Sequence, residues 1–149
     1  MNTIARKAGG LSTLLLVGVL GLIAGCATMA PVVGGQRVDL KGENEVPPVT
    51  TPATGTAVVN ILPDRSVTAS VTVTGMTATA AHIHEASAGA NGPVIVPFNK
   101  TGDNTFAAAP GAKLTEAQYE SYKAGKLYVN VHSAKNPGGE VRAQLRGNY

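Results

Sequence analysis

The sequence predicts an all-β domain: a Greek-key-like antiparallel β-sandwich of about seven to eight strands with one short helix. The first observation is strict alternation in residues 66–74, where Val67, Ala69, Val71 and Val73 are separated by Thr or Ser. This pattern is typical of a strand with one face in the core and the other in solvent. The second is the short, regular spacing of such segments between Gly, Pro, Asn and Asp clusters.

Seven segments carry the strand pattern, and several short strands of this kind are typical of a sandwich or a barrel. The residues between 62 and 66, Pro63-Asp64-Arg65, have the composition of a turn. The predicted strands are residues 37–41, 55–62, 66–74, 80–85, 93–98, 126–132 and 140–146.

One helix is predicted over residues 116–124. Thr115 and Gln118 have the spacing of a capping box, and Gly125 is a plausible C-terminal stop. We expect a structural role, with Leu114, Tyr119 or Tyr122 covering an open end of the sandwich.

Residues 1–25 have the features of an export signal. Arg6 and Lys7 form a positive start, residues 11–24 are apolar, and Ile23-Ala24-Gly25-Cys26 resembles a bacterial lipobox. The resemblance implies cleavage before Cys26 and lipid attachment to its thiol. A transmembrane anchor is the alternative, but the apolar run is shorter than the roughly 20 residues that a span needs.

Lipidated Cys26 and residues up to 36 would form a flexible tether to a domain spanning residues 37–149. The lipid would hold the protein at a membrane of the cell envelope, facing the periplasm or the exterior. Ala27, where an Asp would favour retention at the inner membrane, favours the outer membrane if there is one. Cys26 is the only cysteine, so its lipidation excludes thiol catalysis and cysteine-ligated metal sites.

Charge and composition give no support for nucleic-acid binding. Loss of Arg6 and Lys7 with the signal lowers the formal net charge from +3 to +1, and the chain has no Trp. Nucleic-acid binding would call for clustered basic residues.

The three histidines all lie in predicted strands. His82 and His84 are two residues apart and therefore point to the same side, and His132 ends the alternating segment 128–132. Three neutral imidazoles could hold one copper ion or, as a second choice, zinc. The alternative is that they are ordinary, half-exposed strand residues.

The last two predicted strands suggest a hairpin with one polar face. In the simplest register, His132 lies opposite Glu140, Asn130 opposite Arg142, and Tyr128 opposite Gln144. This face could carry functional groups or simply be solvated. The residues between them would form an apolar face on the core: Leu127, Val129, Val131, Val141, Ala143 and Leu145.

Four blocks in this order resemble the CHRD domain family over nearly the whole mature domain. CHRD modules take their name from chordin, an extracellular antagonist of growth factors, and occur in bacteria as small exported proteins. The resemblance implies an extracytoplasmic module. The blocks are Leu40-Lys41-Gly42-Glu43-Asn44-Glu45-Val46-Pro47-Pro48-Val49 followed by Gly55, Ala81-His82-Ile83-His84-Glu85 with Gly92, Tyr128-Val129-Asn130-Val131-His132, and Pro137-Gly138-Gly139-Glu140-Val141-Arg142-Ala143-Gln144-Leu145.

The histidine pattern is also similar to that of copper/zinc superoxide dismutases. It implies copper ligation by His82, His84 and His132, with Arg142 guiding a small anion or oxygen species to the metal. The chain departs from that family in having no bridging histidine, no zinc-ligand cluster and no disulfide.

Three further polar residues are candidates for contacts with this site. Glu85 or Glu140 could orient a ligand histidine through its second ring nitrogen. Asn130 could contact a ligand or be purely structural.

The sequence thus leads to a lipid-anchored, exported CHRD protein that binds copper, for copper handling or superoxide dismutase-like chemistry. A non-enzymatic module that recognises another protein, or a structural domain, remains the alternative.

Overall fold

The computed structural model describes residues 34–147. The predicted signal and Cys26 lie outside these residues. The elements are β1 (Gln36–Lys41), a 3-10 turn (Gly42–Asn44), β2 (Thr54–Ile61), β3 (Val67–Thr74), β4 (Ala78–Glu85), β5 (Val94–Gly102), β6 (Thr105–Ala108), α1 (Glu116–Lys123), β7 (Leu127–Ser133) and β8 (Val141–Gln144).

The strands form one closed antiparallel sheet in the order β1-β2-β3-β6-β5-β4-β7-β8. The sheet closes where β8 pairs with β1 at Arg142 and Lys41. Closure leaves no long unpaired edge among the described strands, which is one way in which β-domains avoid edge-to-edge association.

Over residues 34–147, the predicted all-β, antiparallel class with one helix is confirmed. The sheet is a barrel rather than two facing sheets, because β6 joins β3 to β5. This strand was not predicted: Thr105-Phe106-Ala107-Ala108 is too short to show a period of two. β4 begins earlier and β5 ends later than predicted, whereas β8 is shorter.

The barrel interior is filled by the apolar side chains of alternating strand positions. In β3, Val67, Ala69, Val71 and Val73 are buried, while the threonines between them are exposed, as the alternation predicts. The β7–β8 register is also as predicted where the ladder runs, with Tyr128 opposite Gln144 and Asn130 opposite Arg142.

The helix has the predicted capping box. The Thr115 hydroxyl accepts a hydrogen bond from the backbone N–H of Gln118, and the Gln118 side chain accepts one from the Thr115 N–H. Leu114 and Tyr122 join the core, and Tyr119 packs against it. Within residues 34–147, no helix has the length and hydropathy of a membrane span.

Candidate metal centre

The three histidines lie on the outer face of the sheet where β4 pairs with β7. His82 is opposite Asn130, His84 is opposite Tyr128, and His132 is opposite Ala80. Ile83, between His82 and His84, and Val131, before His132, are fully buried in the barrel. Because side chains alternate along a strand, burying these neighbours places all three imidazoles together on the opposite face.

The imidazoles are close enough to act as one set of ligands. Each offers a nitrogen that lies within 4.8 Å of those offered by the other two. Nδ1 of His82 is 3.1 Å from Nε2 of His132. The His82 and His84 rings meet edge-on, with centroids 5.5 Å apart.

Backbone carbonyls hold two of the rings and determine which ring nitrogen carries the proton. Nδ1 of His84 lies 3.0 Å from the Gly92 carbonyl, and Nδ1 of His132 lies 3.0 Å from the Pro137 carbonyl. A carbonyl only accepts, so each Nδ1 carries the proton and each Nε2 has a lone pair. The lone pair of His132 Nε2 accepts a hydrogen bond from Nδ1 of His82. Nε2 of His84 is buried and without a hydrogen-bond partner.

Burial keeps the histidines neutral. It lowers the pKa of His82 to about 4, with a smaller contribution from His132 and His84. Burial likewise lowers the pKa of His84 and of His132, partly offset by the hydrogen bonds to the carbonyls of Gly92 and Pro137. Neutral imidazole is the form that binds metals, so the site is in its ligating form at neutral pH.

Gly92 connects the loop after β4 to the site. Its carbonyl accepts from His84, and its N–H donates to the Tyr128 hydroxyl at 3.1 Å. A Cβ at this position would lie 1.9 Å from the Glu85 carbonyl oxygen, so only glycine fits without a backbone shift. The close approach lets this loop reach the His84 ring.

Arg142 lies beside the cluster, and its side chain is enclosed rather than accessible to solvent. Its side chain is 2 % exposed, and it donates to the Ala90 carbonyl and the Asn91 side chain. Its guanidinium carbon is 3.4 Å from the Tyr128 ring centre, and Tyr128 stacks on His84 at 4.9 Å. Arg142 thus contacts both Tyr128 and the loop that reaches His84, and its expected role as an anion guide stays a prediction.

The two carboxylates expected to orient ligand histidines make no hydrogen bond to the imidazole rings. Glu140 accepts hydrogen bonds from the hydroxyls of Thr51 and Ser133. Glu85 ends β4 and lies opposite Leu127. The carbonyls of Gly92 and Pro137 take the orienting role instead, a backbone contribution that residue type could not reveal.

Asn130 is buried between His82 and Arg142 in the sheet register. Its Nδ2 donates to Oε2 of Glu45 at 3.3 Å. Glu45, 5 % exposed, was not predicted as a site residue, because it lies in an irregular segment before Pro47 and Pro48 where no periodicity marks the buried side. The polar face of the β7–β8 hairpin is therefore covered by loops rather than solvated.

These residues fit a metal ion that prefers nitrogen ligands. The three imidazoles are neutral, two are oriented by carbonyls, and the buried lone pair of His84 has no other partner. His82 and His132 are partly exposed, so an ion or small ligand can reach the cluster from solvent.

Replacing Gly92 by Ala should loosen His84. The added Cβ forces the loop away from the Glu85 carbonyl. We expect a loss of about 1–3 kcal/mol in the free energy of unfolding, measured in urea, and about 10–100-fold weaker metal binding. Gly138→Ala is the matched control, because a Cβ there meets nothing within 4 Å. Equal metal affinity in both variants would contradict the role given to Gly92.

The lowered pKa of His82 predicts a pH-dependent stability. Below the ordinary value of 6.5 the unfolded chain binds a proton at this residue that the folded protein excludes down to about pH 4. The contribution of neutral His82 to the free energy of unfolding is therefore complete above pH 6.5 and decreases as the pH falls towards 4. We expect metal-free wild type to lose more stability than His82→Gln between pH 6.5 and 5. Parallel pH profiles, or an NMR titration of His82 near 6.5, would contradict this.

Comparison with known families identifies the domain. The family model for the CHRD domain matches residues 37–145, which is most of the chain. Neither the curated proteins nor the solved structures include a significant match. The four blocks that carry the resemblance meet around the histidine cluster, through Glu45, the histidines, Gly92, Asn130 and Arg142. The chain belongs to the CHRD domain family.

Proposed function

We propose that this protein is an exported, lipid-anchored CHRD domain protein that binds one copper ion through His82, His84 and His132. The observation that carries the proposal is the buried, unpartnered Nε2 of His84, on a ring that belongs to a cluster in which one nitrogen from each of the three histidines lies within 4.8 Å of the other two. An unsatisfied polar atom in the interior is costly unless it has a ligand. A metal ion would satisfy it.

The donor set favours copper, with zinc as the second choice. Three imidazoles suit both ions, but divalent copper binds a given nitrogen site more tightly than zinc does. Bound copper would supply one-electron redox chemistry. The chain itself orients two rings through Gly92 and Pro137 and keeps all three neutral.

Copper handling fits the geometry better than superoxide dismutase-like catalysis. Arg142, which would have to guide an anion, is buried and hydrogen-bonded to the loop over the site. The binding of a protein partner, the alternative class, would gain support if no metal bound.

Residues 36–145 contain the closed sheet and its core, so we expect the domain to fold without the signal and Cys26. Titration of residues 27–149 with Cu(II) should show one tight equivalent, with nitrogen coupling from about three imidazoles in electron paramagnetic resonance. His82→Ala or His132→Ala should weaken binding by more than about 100-fold, since even neighbours of ligands contribute 10–100-fold. Thr68→Ala, exposed on β3, is the control. Unchanged affinity in the histidine variants would defeat the site.

Dialysed, copper-loaded protein should remove superoxide slowly, because Arg142, the cation expected to guide the anion, is buried and bonded to the loop at the site. A superoxide disproportionation assay measures this. Rapid activity in wild type that His84→Ala abolishes would contradict copper handling and establish a superoxide dismutase-like enzyme.

The localisation part of the proposal depends on Cys26. In a bacterial host, full-length wild type should fractionate with membranes, with outer membranes favoured, and Cys26→Ser should fractionate with soluble protein, because the variant has no thiol for the lipid. The Ala27→Asp substitution should shift the lipidated protein towards the inner membrane. Membrane association that is unchanged by Cys26→Ser would contradict lipid anchoring.

A further inference from the structure

Glu45 is a buried carboxyl group beside the histidine cluster, and the proposed metal site gives it no role. It follows the 3-10 turn after β1 and is 5 % exposed. Oε2 accepts a hydrogen bond from Nδ2 of Asn130, whereas Oε1 has no partner. Oδ1 of Asn130, also buried, has no partner either. Two acceptors are thus left unsatisfied on a pair of side chains that already share one hydrogen bond.

One proton would satisfy both acceptors. A carboxylic acid and a primary amide can form a ring of two hydrogen bonds, in which the amide N–H donates to one carboxyl oxygen and the acid O–H donates to the amide oxygen. The first of these bonds is present. The second requires a proton on Glu45, since neither oxygen can otherwise donate.

Burial favours the protonated form of Glu45. Burial raises the pKa of Glu45 to about 7, although Arg142 on β8 and the hydrogen bond from Asn130 act to lower it. Glu43, the other carboxyl on this turn, is exposed and paired with Lys41. A cavity of about 360 Å³, lined by Glu45, Gly89 and Gln144, gives solvent a path for proton exchange.

We propose that Glu45 and Asn130 hold one proton beside the histidine cluster, and that a divalent cation bound by the histidines releases it. This inference rests on the proposed metal site. Three neutral imidazoles, Arg142 and a divalent ion would together place three positive charges in a largely buried region. Loss of the proton leaves the Glu45 carboxylate to balance part of that charge. Asn130 connects the Glu45 carboxyl to the histidine cluster, because it donates to Glu45 and lies opposite His82 in the β4–β7 pairing.

Isothermal titration calorimetry with Zn²⁺ at pH 6.0, in two buffers of different ionisation enthalpy, counts the protons released per ion. Residues 27–149 are used, as in the copper titration. With a pKa of about 7, Glu45 is mostly protonated at this pH. Wild type should therefore release up to one proton more per ion than Glu45→Gln. Gln also donates to Asn130, so the variant mimics the protonated state and keeps the fold.

Glu45→Gln should also bind Zn²⁺ more weakly, on the order of tenfold, because it lacks the compensating charge. Glu43→Gln removes the same charge from the exposed neighbour and should behave as wild type. Equal proton release by wild type and Glu45→Gln would overturn the coupling.

Infrared spectroscopy of the metal-free protein separates this inference from the metal site. A carboxylic-acid C=O band at pH 6.0 that is missing in Glu45→Gln supports proton storage, and its absence in wild type overturns it. If no zinc binds to wild type, the metal site and the coupled release both fail, while the infrared band still decides the storage of the proton.

Discussion

The antiparallel pairing of β4 with β7 is the constraint on which the site depends. Ile83, Val129 and Val131 must face the core of a closed barrel, so the alternate residues of both strands must face outwards. A slip of one residue would turn the histidines inwards and the valines outwards. The hydrophobic effect therefore fixes the histidine cluster indirectly: the burial of the apolar neighbours sets the register that brings residues 82, 84 and 132 together.

Loops then cover part of this outer face of the sheet and shield it from solvent. The segment around Glu45 and the loop ending at Gly92 are joined where Asn91 donates to the Val46 carbonyl, and Arg142 is bonded to the second loop while it stacks on Tyr128. The result is a polar layer between barrel and loops in which His84, Asn130, Arg142 and Glu45 are all buried. Low solvation accounts both for the neutral histidines and for the raised pKa of Glu45, since it disfavours charge on either kind of group.

The strand-borne part of this arrangement could be predicted from the sequence, because alternation encodes which side a residue faces. The alternation put the three histidines in strands with their side chains on one face, and it predicted the Asn130–Arg142 and Tyr128–Gln144 pairs. The capping box located the helix. What depends on loops could not be read in this way. The burial of Glu45, the carbonyls of Gly92 and Pro137, and the enclosure of Arg142 arise from tertiary packing and leave no periodic signal. β6 has only four residues, too few to show the alternation of a strand. Because β6 joins β3 to β5, closure of the sheet could not be predicted without it.

The proposed function requires one metal ion between the three histidines, bound to His84 through Nε2. A crystal structure of the copper-loaded domain, with diffraction recorded on both sides of the copper absorption edge, locates the ion without assuming its ligands. We expect one anomalous peak within bonding distance of Nε2 of His84 and of nitrogens from His82 and His132, with Nδ1 of His84 still bonded to the Gly92 carbonyl. A fully loaded crystal with the peak elsewhere, or with His84 turned away from it, would contradict the proposed metal site.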